Sequence, residues 1–305
     1  MIEKLTKVSF SNLDKVLYPK LKITKAQFIE YYIKMAPRML PFLKDRPLVL
    51  TRYPEGVEKE GFYEKNAPQG MPDWVKTIRL YSNVARHNVN YILCNDLDTL
   101  IWLANLAAVE IHMPLSRIDD RDKPDFLFFD VDPEQPCTVD NAAEVALLLK
   151  DKLDTLGLKS YLKTSGKKGL HVLVPIQRRY TFDQTRAFVH AIGIRLMKES
   201  DKVVSEFSDT KKPDRVFVDY LQNSMGRTMV CPYSLRVTPD ASVSTPIEWS
   251  DLKKKIKPAE FNIHSVPGLT KDLWKDIFDN PQKLEAKTLG EKAKTSKKAA
   301  VGSAS

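Results

Sequence analysis

Residues 126–133 read Phe-Leu-Phe-Phe-Asp-Val-Asp-Pro, a short apolar stretch that ends in two acids. Strand side chains alternate between faces, so Asp130 and Asp132 point the same way. Pro133 closes the strand. Two like charges held side by side repel each other. A bound cation removes that repulsion, and Mg²⁺ or Mn²⁺ prefers carboxylate oxygen. Alone the pair is weak evidence, because most such pairs are solvated strand ends or helix caps.

A further acid strengthens it. Asp219 lies in Val216-Phe217-Val218-Asp219-Tyr220, where a lone carboxylate in an apolar strand is costly unless paired. Two readings stay open: a salt bridge to Arg215, Arg227 or Arg236, or a third metal ligand brought beside Asp130 and Asp132 by sheet pairing. Between these acids lies Thr164-Ser165-Gly166-Lys167-Lys168-Gly169-Leu170-His171, two lysines bracketed by glycines in a strand-to-strand turn. Such a turn can offer backbone N–H groups, a hydroxyl and an ammonium to phosphate. It is no P-loop, since the spacing is wrong and no helix follows. A plain hairpin with solvated lysines fits as well, and His171 also reads as a satisfied core histidine.

Strands and helices interleave along the chain, which argues for a mixed α/β or α+β fold. Thr24 and Gln27 form a capping-box pattern, followed by Phe28, Tyr31, Tyr32, Met35 and Met39 at helical spacing, with Pro41 as the stop. RPLVLTRYP reads as a strand, followed by a polar loop through Gly61, and KTIRLYS and NVNYILC as a strand pair. DLDTLIWLANLAAVEIHM reads as one apolar helix capped by Asn95 or Asp96. An amphipathic helix spans Thr138 to Leu156, closed by Gly157, and another spans Thr181 to Glu199. SYLKTSG, LHVLVPI, RVFVDYL and TMVCPYSLRV read as strands. A boundary near Ser82 to Asn90 would set a smaller N-terminal lobe apart.

The formal net charge is +9, which suits a polyanionic partner. No apolar run reaches the roughly 20 residues of a membrane span, and the first ten residues lack a signal peptide's apolar region. The three cysteines and five histidines are scattered, without disulfide or zinc-ligand spacing. The reducing cytoplasm, in association with the nucleoid, is the expected compartment. Residues after Pro281 have almost no large apolar side chains and read as a disordered basic tail.

In this order, Asp-x-Asp, Ser-Gly-x-x-Gly-x-His and a strand aspartate resemble the signature of the archaeo-eukaryotic primase superfamily. More closely, the chain resembles the polymerase domain of bacterial ligase D and its stand-alone archaeal relatives in non-homologous end joining. The likeness runs from about Phe10 to about Phe278 and includes SNLDKVLYP, TRYPEG, GFYEKN, AAVEIHMPLSR, FFDVDP, TSGKKGLHVLVP, VFVDYLQN and CPYSLR. The combination is specific where each piece is not.

The resemblance implies an α+β fold, a primase-like core of mixed and antiparallel sheets flanked by helices. It implies one primase-polymerase domain over residues 1–280, with a lobe at 1–85, a catalytic core at 86–280 and the tail at 281–305. It implies a nucleotidyltransferase, a DNA-directed DNA or RNA polymerase that fills gaps and extends 3′ ends at double-strand breaks, with ribonucleotides often preferred. Asp130, Asp132 and Asp219 would hold two catalytic ions, Mn²⁺ or Mg²⁺. Ser165, Gly166, Lys168, Gly169 and His171 would hold the incoming triphosphate, with Arg227 and Arg236 near its phosphates. Lysine is frequent at the position of Arg227. His112 matches a histidine near the nucleotide sugar, although a helix C-cap is its plain alternative. Lys15 and Lys25 match a pair that grips a downstream 5′-phosphate; otherwise they are surface lysines. Phe62 or Tyr63 would stack on a template base, worth roughly 1–3 kcal/mol, or else both rings are core. Arg52 would touch template backbone. The implied partners are gapped or broken DNA, nucleoside triphosphates, a Ku-like end-binding protein and a separate DNA ligase. Two rival functions share these residues: a metal-dependent nuclease or phosphoesterase, and a non-catalytic DNA-end-binding module.

Overall fold

The computed structural model describes residues 7–82, 86–206 and 214–284. The lobe boundary expected near 82–90 falls partly on residues 83–85, and most of the tail on 285–305, both outside the described residues.

In chain order the elements are β1 (Val16–Tyr18), β2 (Ile23–Thr24), α1 (Lys25–Leu43), β3 (Val49–Arg52), β4 (Phe62–Glu64), β5 (Thr77–Ser82), β6 (His87–Ile92), α2 (Leu97–Asn105) and β7 (Ala108–Pro114). Then follow β8 (Phe126–Pro133), α3 (Val139–Thr155), β9 (Tyr161–Thr164), β10 (Leu170–Pro175), α4 (Phe182–Glu199), β11 (Val203–Val204), β12 (Val216–Asp219), β13 (Thr228–Val230) and β14 (Pro246–Ile247). A six-stranded sheet runs in the order β11-β12-β8-β10-β9-β14, antiparallel except for the β11–β12 pair. A four-stranded antiparallel sheet runs β13-β7-β3-β4, and β1–β2 and β5–β6 are separate hairpins. The expected α+β architecture is therefore the one observed.

Alternation along β8 explains where the core sits. Phe126 and Phe128 join a cluster with α1, α2 and the four-stranded sheet, while Leu127, Phe129 and Val131 join another with α3 and α4. Each such ring or Leu is worth about 1.5–3 kcal/mol when fully buried. A sheet covered on both faces reads as continuous apolar sequence rather than alternation. Asp130 and Asp132 continue the Phe126–Phe128 face. The first cluster also draws on residues from both sides of position 85.

Helix α1 begins as expected: the Thr24 hydroxyl accepts from the Gln27 amide, and the Gln27 side chain accepts from the Thr24 amide at 2.9 Å. The hydroxyls of Tyr31 and Tyr32 donate to the carbonyls of Tyr233 and Val109. Tyr18 donates to the carbonyl of Arg236. The Tyr31 bond and the Leu235 amide, which donates to the Tyr32 hydroxyl at 3.4 Å, tie the loop that carries Arg236 to α1, and the Tyr18 bond ties it to β1. Thr138 and Thr181 head α3 and α4 with capping boxes, and Gly157 follows α3 at φ +68°.

Three expectations need correction. The apolar run at 96–113 is not one helix: α2 ends at Asn105, Ala107 turns at φ +56°, and β7 begins at Ala108. Both pieces are buried nearly all round, so neither shows a helical or a strand period. Pro41 does not stop α1, which runs to Leu43 with Pro37 and Pro41 inside it. Only Thr228–Val230 of TMVCPYSLRV is a strand.

Candidate active site

Sheet register gathers ionisable residues from four strands. Asp219 on β12 is the direct partner of Asp130 on β8, Asp130 of His171 on β10, and His171 of Lys163 on β9. Directly opposed residues share a face, with Cβ atoms about 5 Å apart. The row therefore crosses the sheet on the face of Phe128, with Asp132 one step further along β8.

All three carboxylates are shifted toward the protonated form. Burial pushes Asp130 up to about 6, against the opposing charges of Lys163, Arg236 and Lys168. Burial and then the charge of Asp130 push Asp132 up to about 6. Asp219 is raised by burial and by Asp130, while hydrogen bonds from the Leu221 amide and the Gln222 side chain oppose the shift. Those two bonds, 2.8 and 3.1 Å long, direct its carboxylate to the turn after β12. Among the described residues no three His, Cys, Asp or Glu side chains are already assembled as a metal cluster. The donor chemistry nevertheless fits a hard divalent cation: three carboxylates on neighbouring strands, with Asp130 raising the other two. Of the two readings of Asp219, the structure gives it hydrogen-bonded caps, with Arg227 as a nearby favourable charge.

The glycine-lysine turn joins β9 to β10. The Ser165 hydroxyl accepts from the amides of Lys167 and Gly169, so it organises the turn from inside. Gly166 has φ +76°, and a Cβ there would stand 2.5 Å from Cγ of Arg236. At Gly169 a Cβ would stand 2.8 Å from the Val131 carbonyl oxygen. Glycine is needed at both. Lys168 leans on the acidic strand end, donating to the Pro133 carbonyl at 3.0 Å with Asp132 3.6 Å away. His171 is buried and held well below its ordinary range, first by burial and then by the charges of Lys163 and Arg236. Lys163, fully buried, is likewise held well below the usual lysine range, chiefly by burial.

Arg236 clamps the turn to the second sheet. Its guanidinium donates to the Ser165 carbonyl at 2.6 Å and to Glu110 at 2.9 Å. Glu110 also meets Nε2 of His112 at 3.1 Å and Nζ of Lys167 at 3.3 Å. Burial pushes the Glu110 carboxyl up, but the His112 hydrogen bond and the charges of Arg236 and Lys167 outweigh it and leave it well below the carboxylate range. Glu110 went unnoticed in the sequence. Reading AVEIHM as a strand would have put it on the same face as His112. That strand also removes the helix C-cap reading of His112.

Asp130, Asp132, Ser165, Lys168, His171 and Arg236 line one cavity of about 740 Å³, with Gly166 and His112 also at its wall. Asp219 and Arg227 are not in that lining. Arg227 and Tyr63 face an adjoining cleft of about 700 Å³ that shares His112, Gln222 and Thr228 with the cavity.

A separate cationic group forms where Lys25 N donates to the Lys15 carbonyl. Lys25 is lowered to about 8 by burial and by the charges of Lys15 and Arg52, and its ammonium donates to Ser11. Lys15 pairs with Glu55 at 2.6 Å. Arg52 is held by both oxygens of Glu64 and lies 5.0 Å over the Phe62 ring. Phe62 and Tyr63 are 46% and 57% exposed, so neither ring is core.

The family described as "LigD, primase-polymerase domain" matches residues 24–278. The chain is 34% identical to the bifunctional non-homologous end joining protein LigD of Bacillus subtilis over 281 residues, covering 90% of this chain and 45% of that protein. It is 30% identical to the multifunctional LigD of Mycolicibacterium smegmatis, covering 82% of this chain and 33% of that one. The chain thus spans less than half the length of these curated relatives. Among solved structures it resembles the polymerase domain of Mycobacterium tuberculosis ligase D in complex with DNA. The TM-score is 0.84 at 28% identity, covering 91% of this chain and all of that one.

Proposed function

The chain belongs to the LigD primase-polymerase domain family, whose members are DNA-directed nucleotidyltransferases, and from that premise we propose that it adds nucleotides to 3′ ends and fills gaps at broken DNA during non-homologous end joining. The observation that carries the reading is the cross-sheet row Asp219–Asp130–His171, of which Asp130 and His171 line one cavity together with Asp132 and the Ser165–Lys168 part of the turn. A nucleoside triphosphate has both an anionic tail and a reacting α-phosphate. Here an anion-binding turn and a group of carboxylates share a wall.

Asp130, Asp132 and Asp219 would hold two divalent ions, Mn²⁺ or Mg²⁺. Such ions supply charge neutralisation at the phosphates and a more acidic 3′-hydroxyl. Ser165 and the backbone at Gly166 and Gly169 shape the triphosphate seat. His171 and Arg236 donate to phosphate oxygens, and Lys168 moves from Asp132 toward the charge that develops on pyrophosphate. His112, held by Glu110, lies at the junction of cavity and cleft, where the nucleotide sugar would sit and where a ribonucleotide preference would be decided. Phe62 or Tyr63 would stack on the template, beside Arg52 and Arg227. Lys15 and Lys25 would receive the downstream 5′-phosphate. End binding by a Ku-like protein and sealing by a DNA ligase would complete the joining.

The test is extension on a gapped duplex with a 5′-phosphate, comparing ribo- and deoxyribonucleotides with Mg²⁺ and Mn²⁺. Asp130→Ala and Asp132→Ala should abolish extension while DNA binding persists. Strand shortening without nucleotide would assign a nuclease instead. Absence of any metal-dependent nucleotide binding would leave only an end-binding module.

A further inference from the structure

Lys163 has no part in the reaction proposed above, yet its side chain is wholly buried beside the site. Its Nζ lies 2.7 Å from Nδ1 of His171 and 2.5 Å from Oγ of Ser244. The Ser244 hydroxyl donates to the Thr164 carbonyl at 2.8 Å, so its hydrogen is committed and it accepts from Lys163. On the other edge of the imidazole, Nε2 lies 3.3 Å from Oδ1 of Asp130. A carboxylate at that distance disfavours a bare lone pair facing it, which favours a hydrogen on Nε2. A neutral ring with hydrogen on Nε2 has a bare Nδ1, which accepts from Lys163. The Phe128 ring meets the imidazole edge-on at 5.0 Å and restricts its plane.

We propose that Lys163 is a positioning residue: it holds His171 in the neutral tautomer with hydrogen on Nε2, ready to donate into the cavity. The inference rests on the reading of His171 as a triphosphate contact, and it gives that contact its polarity. The partner of one imidazole nitrogen decides what the other can do. With Nδ1 held as an acceptor, Nε2 is a donor before any nucleotide arrives, and it can pass from Asp130 to a phosphate oxygen. A ring free to take the other tautomer would present a lone pair to an anion and repel it.

The direct measurement is the ring ¹⁵N spectrum of His171 in the full chain without nucleotide. Wild type should show the Nε2–H form, and Lys163→Met, which keeps the length and apolar stem, should shift the signals toward Nδ1–H or a mixture. An Nδ1–H ring in wild type overturns the proposal whether or not any variant folds. An unchanged tautomer in Lys163→Met overturns it too. In extension assays Lys163→Met should raise KM for the nucleotide by about fivefold, the loss of roughly one neutral hydrogen bond, with kcat nearly kept. In a His171→Ala background the same change should add nothing, whereas additive losses would mean that Lys163 merely supports the sheet. If wild type extends no primer, the polymerase reading fails while the spectrum still decides the tautomer.

Discussion

Asp219 and Asp130 face each other directly across the β12–β8 ladder, two carboxylates from segments 89 residues apart at one level of the sheet. Like charges placed opposite one another on neighbouring strands destabilise the pairing. A fold that keeps them there gains nothing in stability from their charge. The charge of Asp130 raises the hold of Asp219 on a proton, and a divalent cation is the partner that would relieve both.

Stability of the metal-free protein should therefore fall as pH rises from about 4 through about 6. Asp130 and Asp132 bind protons up to about pH 6 when folded, against about 3.9 when unfolded. The folded state binds more protons in that window. Its advantage is complete below about pH 4 and is lost as pH rises through about 6. Asp130→Asn should flatten this slope, and saturating Mn²⁺ should stabilise wild type more at pH 7.5 than at pH 5. Urea midpoints across the range measure both; an identical slope in the variant rejects the coupling.

Gly166 and Gly70 make an internal comparison. Both have positive φ, +76° and +77°, but only a Cβ at Gly166 meets neighbours, whereas none lies within 4 Å at Gly70. Gly70→Ala should cost about 1–2 kcal/mol for the left-handed backbone alone. Gly166→Ala should cost more than that and weaken nucleotide binding, because Arg236 must shift. Equal losses in chemical denaturation would show that the turn yields without moving Arg236.

The 5′-phosphate contact proposed for Lys15 and Lys25 should depend on pH through Lys25. Its ammonium is charged below about pH 8, so the preference for 5′-phosphorylated over 5′-hydroxyl gapped DNA should weaken as pH rises through that value. Replacing both Lys15 and Lys25 with Ala should remove the preference and leave binding to 5′-hydroxyl DNA nearly intact. Fluorescence anisotropy with the two duplexes reads the effect. Equal weakening of both would indicate general electrostatic attraction.

Asp125 should matter for folding alone. It pairs with the fully buried Arg46 and, at 3.1 Å, with Arg117. Asp125→Ala strips a buried guanidinium of its carboxylate, which should destabilise the protein by about 3–5 kcal/mol. A change below 1 kcal/mol by urea denaturation would mean that the Phe42 and Pro114 carbonyls satisfy Arg46 without it.

Local rules already present in the chain determined a good part of this. Strand alternation put Asp130 and Asp132 on one side, threonine-led capping boxes started α1, α3 and α4, and paired glycines marked the turn that Arg236 clamps. Each depends on neighbours a few residues apart, so each survives without knowledge of the rest. Tertiary structure alone decided that Asp219 sits opposite Asp130, that Lys163 backs His171, and that Glu110 holds both His112 and Arg236. Registers between segments distant in the chain are chosen by the packing of whole sheets, since a slip of one residue turns every side chain to the other face. The misread run at 96–113 has the same cause: burial on all sides erases the period that separates helix from strand, and only packing against α1 and β3 shows where one becomes the other.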